Sequence, residues 1–273
     1  MTHTRKPRVE ILAVGSEFLT PHFQETNSLY LTQRVNDLGL EVAFKTLVGD
    51  RWDDVWLACC EALGRSDVIF SIGGLGPTAD DITREAWASA TGRKLLFRPE
   101  LLEKIRKRFA RRRMKMPAVN KKQAYVIEEA DVLENTRGTA PGLWLETEKA
   151  LIVLLPGPPQ ELIPMFEKHV WPRLKRFQTA HVTRTVLKTA GMTESAIENL
   201  LVNVYPRIPE VRVTTLARPG QIEIHLTSTS GKNAADAERK TARAVKLICA
   251  VLGENVFTAT GEDLEAVVGR LLR

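Results

Sequence analysis

The sequence is poor in the residues that mark several function classes. Its three cysteines, Cys59, Cys60 and Cys249, show no C-x-x-C spacing, so neither a disulfide framework nor a thiolate metal site is indicated. The adjacent pair sits in the apolar-periodic stretch DDVWLACCEAL, where buried thiols are expected. Five histidines are scattered without H-x-x-x-H or H-E-x-x-H spacing, which argues against a histidine-built zinc site. Any metal is therefore expected to be a hard cation held by carboxylates and substrate oxygens. No apolar run approaches the roughly 18–20 residues that span a bilayer, and MTHTRKPRVE lacks the apolar centre of a signal peptide. A cytoplasmic protein with no membrane partner is expected.

What remains is an ordinary globular balance, 44% hydrophobic and 26% charged over 273 residues. At about 100–200 residues per domain, that length suggests two domains. The net charge of +6 allows an anionic partner without requiring one. Much of the excess lies in IRKRFARRRMKM, Ile105 to Met116, with seven basic residues. On a helix these occupy several faces, and Ile105 and Phe109 form an i, i+4 apolar pair. A solvated helix is the main expectation, with attraction of a phosphorylated ligand or a nucleic acid as the lesser one.

The first half alternates two periodicities. VEILAVG, LEVAFKTLVG and SDVIFSIG read as strands. Helical patterns run from Thr26 to Leu38, with Leu29, Leu31, Val35 and Leu38 as the apolar positions and Gly39 as a C-terminal cap, then over DDVWLACCEALG and TADDITREAWASATG. A later apolar run, ALIVLLPGPPQEL, is a further strand that enters a proline-fixed turn before the helix ELIPMFEKHV. Such βαβ alternation implies a mainly parallel sheet covered on both faces, with ligands beyond the carboxyl ends of its strands. After WPRLKRFQ the pattern becomes β-α-β-β-α-β, the order of a small ferredoxin-like or KH-like module. The tail GEDLEAVVGRLLR is helical in period and reads as a lead into another domain.

The unusual residues fall at the strand ends. SIGGLGPTADDIT, Ser71 to Thr83, combines three glycines, a proline and two adjacent aspartates. GGLGPT fits neither G-x-G-x-x-G nor G-x-x-x-x-G-K-[ST], so the Rossmann and Walker readings fail on spacing. Gly73, Gly74 and Gly76 can still let a ligand approach the main chain, and Thr78 is expected to open the next helix, whose free N–H groups favour an anion. Thr78 with Asp81 also matches a capping box, and Asp50 can be read as an N-cap. Jointly, Glu17, Asp50, Asp80 and Asp81 all follow predicted strands, and Asp80 has no evident structural task.

VGSEFL followed by ETNSLYLTQRVNDLGLEV, SIGGLGPTADDITREA, NKKQAYVIEEADVLENTRGTAPGLWLE and LLPGPPQELIPMF resemble, in order and spacing, the N-terminal half of the CinA family, the competence/damage-inducible proteins. That half belongs to the molybdopterin-binding superfamily of the MogA, MoaB and MoeA type. The resemblance covers roughly residues 8–172, and the β-α-β-β-α-β segment is similar to the family's KH-like domain. It implies a three-layer, mainly parallel α/β domain over residues 1–174, a smaller α+β KH-like domain over 175–260 and a helical tail over 261–273. Many members carry a further nicotinamide-mononucleotide deamidase domain, which would start where this chain ends at Arg273, so that activity is not expected here.

The resemblance also implies metal-dependent hydrolysis of ADP-ribose to AMP and ribose 5-phosphate, with Mg, Mn or Co as the cation. Molybdopterin binding, or a part in molybdenum-cofactor synthesis, is the alternative. A nucleic-acid or protein-binding module is the third reading, weakened because residues 182–257 offer no G-x-x-G clamp. Carried over, Asp81, Asp50 and Lys121 are the catalytic candidates, and Asp80, Asp81 and Glu17 the metal ligands. Gly73, Gly74, Gly76 and Thr78 match the phosphate-approach loop. Asn120 and Gln123 match N-[RK]-K-Q. Gly138 and Thr139 match GTAPG, and Pro156, Gly157 and Pro158 match PGPP. Thr26 and Asn27 close the segment PHFQETN, which departs from the family's GQI-[VL]-[DN]-TN. A nucleotide substrate and a homodimer are expected as partners.

Overall fold

A computed structural model describes residues 7–272. Residues 1–6 and 273, which hold part of the N-terminal stretch and the end of the tail read above, lie outside the described residues. The described chain divides into two compact units, residues 7–36 with 40–177, and residues 37–39 with 178–272.

The first unit is built on a six-stranded sheet. In chain order its elements are β1 (Val9–Val14), α1 (Asn27–Asp37), β2 (Val42–Val48), α2 (Trp52–Arg65), β3 (Val68–Ile72), α3 (Thr83–Ala90), β4 (Leu95–Phe97), α4 (Pro99–Arg111), β5 (Tyr125–Ile127), β6 (Asp131–Leu133), β7 (Gly142–Glu146), β8 (Leu151–Leu155), α5 (Pro159–Met165) and α6 (Trp171–Leu174). The strand order is β2-β1-β3-β8-β7-β6. β2, β1, β3 and β8 run parallel, and β7 and β6 are antiparallel additions at the far edge. β1, β3 and β8 are buried at every position, which is why they read as continuous apolar runs. β2, at the edge, alternates half-buried and exposed residues. One core joins the sheet to the helices through Leu12, Ile69, Ile152 and Leu154 on strands and Trp87, Leu101 and Leu102 on helices.

A charge lies inside this apolar sheet. Glu10, on β1, is fully buried, and its carboxylate accepts from Arg65 at 2.6 and 3.0 Å, Ser66 at 2.8 Å and Thr46 at 2.9 Å. Burial alone would raise its pKa, but the bonds from Arg65, Ser66 and Thr46 outweigh that and hold it below the ordinary value.

Several boundaries differ from expectation. α3 starts at Thr83, not Thr78, because residues 74–82 form a separate loop. Leu29 of α1 is 56% exposed, while Leu31, Val35 and Leu38 are buried. The basic run leaves its helix at Arg111, and Arg113 takes a positive φ of 55° just beyond. ELIPMFEKHV is not one regular helix: a π turn over Phe166–Val170 separates α5 from α6. Pro164 lies within α5 and Pro172 at the start of α6, and each lacks a helical N–H. β4 to β6 escape sequence reading because strands of three residues show too little period; β7 also escapes it, although it is as long as β3 and β8.

The second unit comprises β9 (His181–Thr189), α7 (Glu194–Leu201), β10 (Val211–Arg218), β11 (Gln221–Ser230), α8 (Ala234–Leu252), β12 (Val256–Thr258) and α9 (Leu264–Leu271). Its sheet order is β10-β11-β9-β12, antiparallel throughout. β11 alternates buried and half-buried residues over most of its length, as a sheet with one covered face should. Leu187, Ile222, Ile224 and Leu226 meet Ile197, Leu201, Ala244 and Ile248 in the core. Thr193 caps α7 and Asn233 caps α8, each accepting a backbone N–H. Among the described residues no helix is long and apolar enough to cross a membrane.

Candidate functional site

The parallel strands β1, β2, β3 and β8 all end on one side of the first unit, and their following loops form a cleft of about 340 Å³. Gly15 and Glu17 come from the loop after β1, Asp50 from β2, residues 73–77 with Asp80 and Asp81 from β3, and Pro156, Gly157, Pro158 and Glu161 from β8. Gln123, Thr139 and Ala140 complete the wall. Thus Glu17, Asp50, Gly73, Gly74, Gly76, Asp80, Asp81, Gln123, Thr139, Pro156, Gly157 and Pro158 are brought together. Thr26, Asn27, Thr78, Asn120, Lys121 and Gly138 lie outside this lining.

The glycine loop is held from below. Gly73 and Gly74 have φ of 87° and 62°, and a Cβ on either would stand 2.3 Å from the Val14 carbonyl oxygen or 2.1 Å from Thr83 Oγ1. Only glycine satisfies both the backbone and the space. The chain then turns over Arg84, a fully buried residue on α3 whose guanidinium donates to the carbonyls of Leu75 at 2.8 Å and Gly76 at 3.2 Å. Gln123 also donates to the Leu75 carbonyl, at 3.4 Å, and receives the Asn120 amide at 3.0 Å. Burial lowers the Arg84 pKa, partly offset by Glu85 and Asp81. No spacing rule singles out Arg84, since a charged residue in the second helical position normally faces solvent.

Asp81 ties the loop to itself. Its carboxylate accepts from the backbone N–H groups of Gly76 and Thr78, each at 2.8 Å, and from the Thr78 hydroxyl. The T-x-x-D pair therefore exists, but it closes the loop that precedes α3 and does not cap the helix. Asp80 is exposed. The Thr78 hydroxyl, its own backbone N–H and Lys122 hold its carboxyl below the ordinary range. Asp50 is bound reciprocally across the strand ends: it accepts from the Ser16 N–H at 2.8 Å, and its N–H donates to Ser16 Oγ at 3.1 Å. It does not cap α2, whose N-cap is Arg51. Glu17 has no side-chain hydrogen bond or ion pair among the described residues.

Two expectations about basic and polar partners change. Lys121 lies over the Phe97 ring, 5.4 Å from its centroid, whereas the neighbouring Lys122 reaches the Thr78 carbonyl at 3.2 Å and Glu85 at 3.6 Å. A 3-10 segment over Ala118–Ala124 turns adjacent residues to different sides, a distinction the motif cannot make. In PHFQETN, Glu25 accepts from the Ser28 N–H at 3.0 Å, as a cap to α1, and Asn27 donates to the Gly157 carbonyl at 2.7 Å, clasping the proline turn from outside the cleft. Glu161, which sequence reading passed over as helical, enters the cleft. It accepts from Asn135 at 2.7 Å.

The outcome is a cavity with five carboxylates, Glu17, Asp50, Asp80, Asp81 and Glu161, and no lysine, arginine or histidine in its lining. Its donors are oxygens alone, the chemistry of a hard cation. Among the described residues, however, no group of three or more His, Cys, Asp or Glu side chains is placed to hold a metal ion. The donors fit an ion shared with a ligand's oxygens and not one held by protein alone.

Comparison with known proteins gives the family. Residues 10–176 match the family described as "Probable molybdopterin binding domain", and residues 184–258 match the "Damage-inducible protein CinA KH domain". The chain is 44% identical to a CinA-like protein of Solibacter usitatus over 97% of its own length and 64% of that protein's. With a CinA-like protein of Koribacter versatilis it shares 41% identity over 97% of its own length and 65% of the other's. It thus spans just under two-thirds of the length of these relatives. The crystal structure of CinA from Thermoplasma acidophilum, titled as of unknown function, superposes with a TM-score of 0.56 at 29% identity, covering 59% of this chain and 95% of that one. By these matches the chain belongs to the CinA family, with a molybdopterin-binding-type domain followed by a CinA KH domain.

Proposed function

We propose that the cleft binds a phosphorylated pterin of the molybdopterin type. The observation that carries this reading is a strand-end cavity lined by five carboxylates without one cationic side chain. Such a wall repels a bare phosphate but suits the amino-pyrimidinone edge of a pterin, whose N–H groups need anionic acceptors. Asp81 and Glu161 are already engaged in holding loops. Glu17 and the second oxygen of Asp50 are the acceptors left for a ligand. The match to the molybdopterin-binding family supports the same reading.

A second reading is metal-dependent hydrolysis of ADP-ribose. Asp80 favours it: this carboxylate is exposed at the bare glycine loop and is held in its charged form by Thr78 and Lys122. A divalent ion would be held by Asp80 and Glu17, with ligand phosphate oxygens completing its shell. When bound, such an ion supplies charge neutralisation and an activated water. Asp81 has its oxygens committed to the loop, so its part in either reading is to hold the glycines in place.

Fluorescence titration with 6-hydroxymethylpterin tests the first reading, with saturable quenching expected from the parent and loss of about ten-fold in affinity in Glu17→Gln/Asp50→Asn. ADP-ribose with Mg²⁺, Mn²⁺ or Co²⁺, read by chromatography for AMP, tests the second. AMP formation without pterin binding would replace the first reading by the second.

A further inference from the structure

Behind the GTAPG loop lies a second cavity, of about 530 Å³, between α4 and residues 132–141. Its charge is opposite to that of the cleft. Lys104, Lys107, Arg108 and Arg111 line it, over an apolar floor of Leu101, Ile105, Val132 and Pro141. On α4, Lys104 with Lys107, Lys104 with Arg108, Lys107 with Arg111 and Arg108 with Arg111 each stand three or four residues apart. Like charges at that spacing are neighbours and weaken the helix unless an anion lies against them. The protein supplies little of one. Of the two acids in the lining, Glu134 pairs with Lys168, outside the groove, at 3.4 Å, which leaves Glu100. Lys104 and Arg111 have no ion-pair or hydrogen-bond partner among the described residues, and Lys107 reaches only Glu103, at 3.9 Å. Arg108 instead donates to the carbonyl of Thr136 at 3.2 Å, which anchors the opposite wall to the helix.

The groove is a compartment of its own. Thr139 lines both it and the acidic cleft, but between them Asn135 donates to Glu161 at 2.7 Å and to the Ala140 carbonyl at 2.8 Å, and its oxygen accepts from the Gly138 N–H at 2.6 Å. These bonds close the wall. An occupant of the groove therefore meets cations and aliphatic surface, not the carboxylates that line the cleft. The volume is within the roughly 300–1,000 Å³ of small-molecule sites. No aromatic side chain lines the groove, so it lacks the stacking platform on which a single nucleic-acid strand is held.

We propose that this groove is a second binding site, separate from the cleft, for a small phosphate monoester with an apolar body. A phosphate dianion offers three strong acceptor oxygens, and the long stems of Lys104, Lys107 and Arg111 can converge on it from one helix face. It relieves the repulsion among them. The body covers Leu101, Ile105, Val132 and Pro141, surface that inorganic phosphate leaves bare. Arg108 keeps its bond to Thr136 and holds the groove open. The proposal does not depend on what the cleft binds.

The test uses the full chain and three probes, 1-naphthyl phosphate, 1-naphthol and inorganic phosphate, titrated by calorimetry. The ester should bind the parent saturably, about ten-fold more tightly than either of the others. Lys104→Ala/Lys107→Ala/Arg111→Ala, which removes only exposed side chains, should abolish that preference over the alcohol. Raising the salt from about 50 mM to about 500 mM should shrink it in the parent. Glu17→Gln/Asp50→Asn, in the cleft, should leave the ester's affinity unchanged. Absence of saturable binding, or a preference that survives the triple substitution, would overturn the proposal. So would loss of ester binding in the cleft variant, which would place the probe on the other side of the wall. Equal affinity for the ester and inorganic phosphate would deny the apolar floor any part and sink the monoester class. A single-stranded oligonucleotide that displaces the ester from the parent, and binds more tightly with a steep salt dependence, would assign the groove to nucleic acid instead.

Discussion

The two units are built from similar strands and helices, yet the first gathers five carboxylates into one cleft, whereas the cavity of about 380 Å³ in the second, lined by Glu198, Tyr205, Thr215 and apolar residues, holds a single acid. In the first, β2, β1, β3 and β8 are parallel, so every strand delivers its following loop to the same side. Glu17, Asp50, Asp80 and Glu161 meet there although they are far apart in sequence. In the second, β9 and β10 run one way and β11 and β12 the other, so the loops that follow its strands are divided between two ends. Its charges form surface pairs such as Arg239–Asp236 and Arg270–Glu262. Parallel topology concentrates chemistry, and antiparallel topology disperses it.

The largest expected break in that comparison is Glu10→Gln. It leaves Arg65 without its buried partner and should cost about 3 kcal/mol in urea unfolding, with hydrogen-exchange protection lost in β1–β3 and unchanged in β9–β11. The folded Glu10 carboxyl titrates below its ordinary value. Its contribution is thus present above the unfolded pKa of about 4.3 and lost as pH falls through the folded one. The gap between parent and variant should therefore close in acid; a gap independent of pH would mean that packing, not charge, is what Glu10 supplies.

Next comes a pair of glycine substitutions. Gly74→Ala must place a Cβ 2.1 Å from Thr83 Oγ1 at positive φ, at a cost of about 2 kcal/mol, and should abolish pterin binding. Gly220→Ala, in the β10–β11 hairpin, also has positive φ but meets nothing within 4 Å. It should cost only about 1 kcal/mol. Equal costs would show that φ alone, and not the close approach of the loop, sets the demand for glycine in the cleft.

The adjacent aspartates sharpen the comparison further. Asp81→Asn converts one oxygen into a donor facing the Thr78 and Gly76 N–H groups. Ligand affinity should fall about ten-fold, with faster amide exchange over residues 76–83. Asp80→Asn should leave that exchange unchanged, so any loss of ligand or metal response it causes reports on the site itself. The smallest effect is expected for Asp236→Asn in the second unit. Ser230, then Lys240, hold this carboxyl at about 2. The variant should melt slightly lower at pH 7, and the difference should vanish as the pH falls to about 2.

Legibility followed continuous burial as well as length. β1, β3, β8 and α8 were readable because continuous burial or helical period extends over enough residues to declare itself. β4 to β6 were not, being three residues long, and β7, though as long as β3 and β8, ends in an exposed glutamate and was read only as part of a motif. In the cleft, the glycine loop and strand-end acids could be found because position after a strand is a property of order along the chain. Arg84, Glu161 and the choice between Lys121 and Lys122 could not, because each depends on which way one side chain turns in a packed interior.

Sequence alone therefore determined the alternation of strands and helices, the small β-α-β-β-α-β unit, and the convergence of acids beyond parallel strands, since local periodicity and the handed βαβ connection leave few other arrangements. Tertiary structure decided which acids are spent on holding loops and which face the cavity. It also decided that part of the basic helix backs the same loop as the acidic cleft. Those outcomes depend on hydrogen bonds and excluded volume between residues distant in the chain, such as Asn135 with Glu161 and Gln123 with Leu75, and no local pattern encodes them.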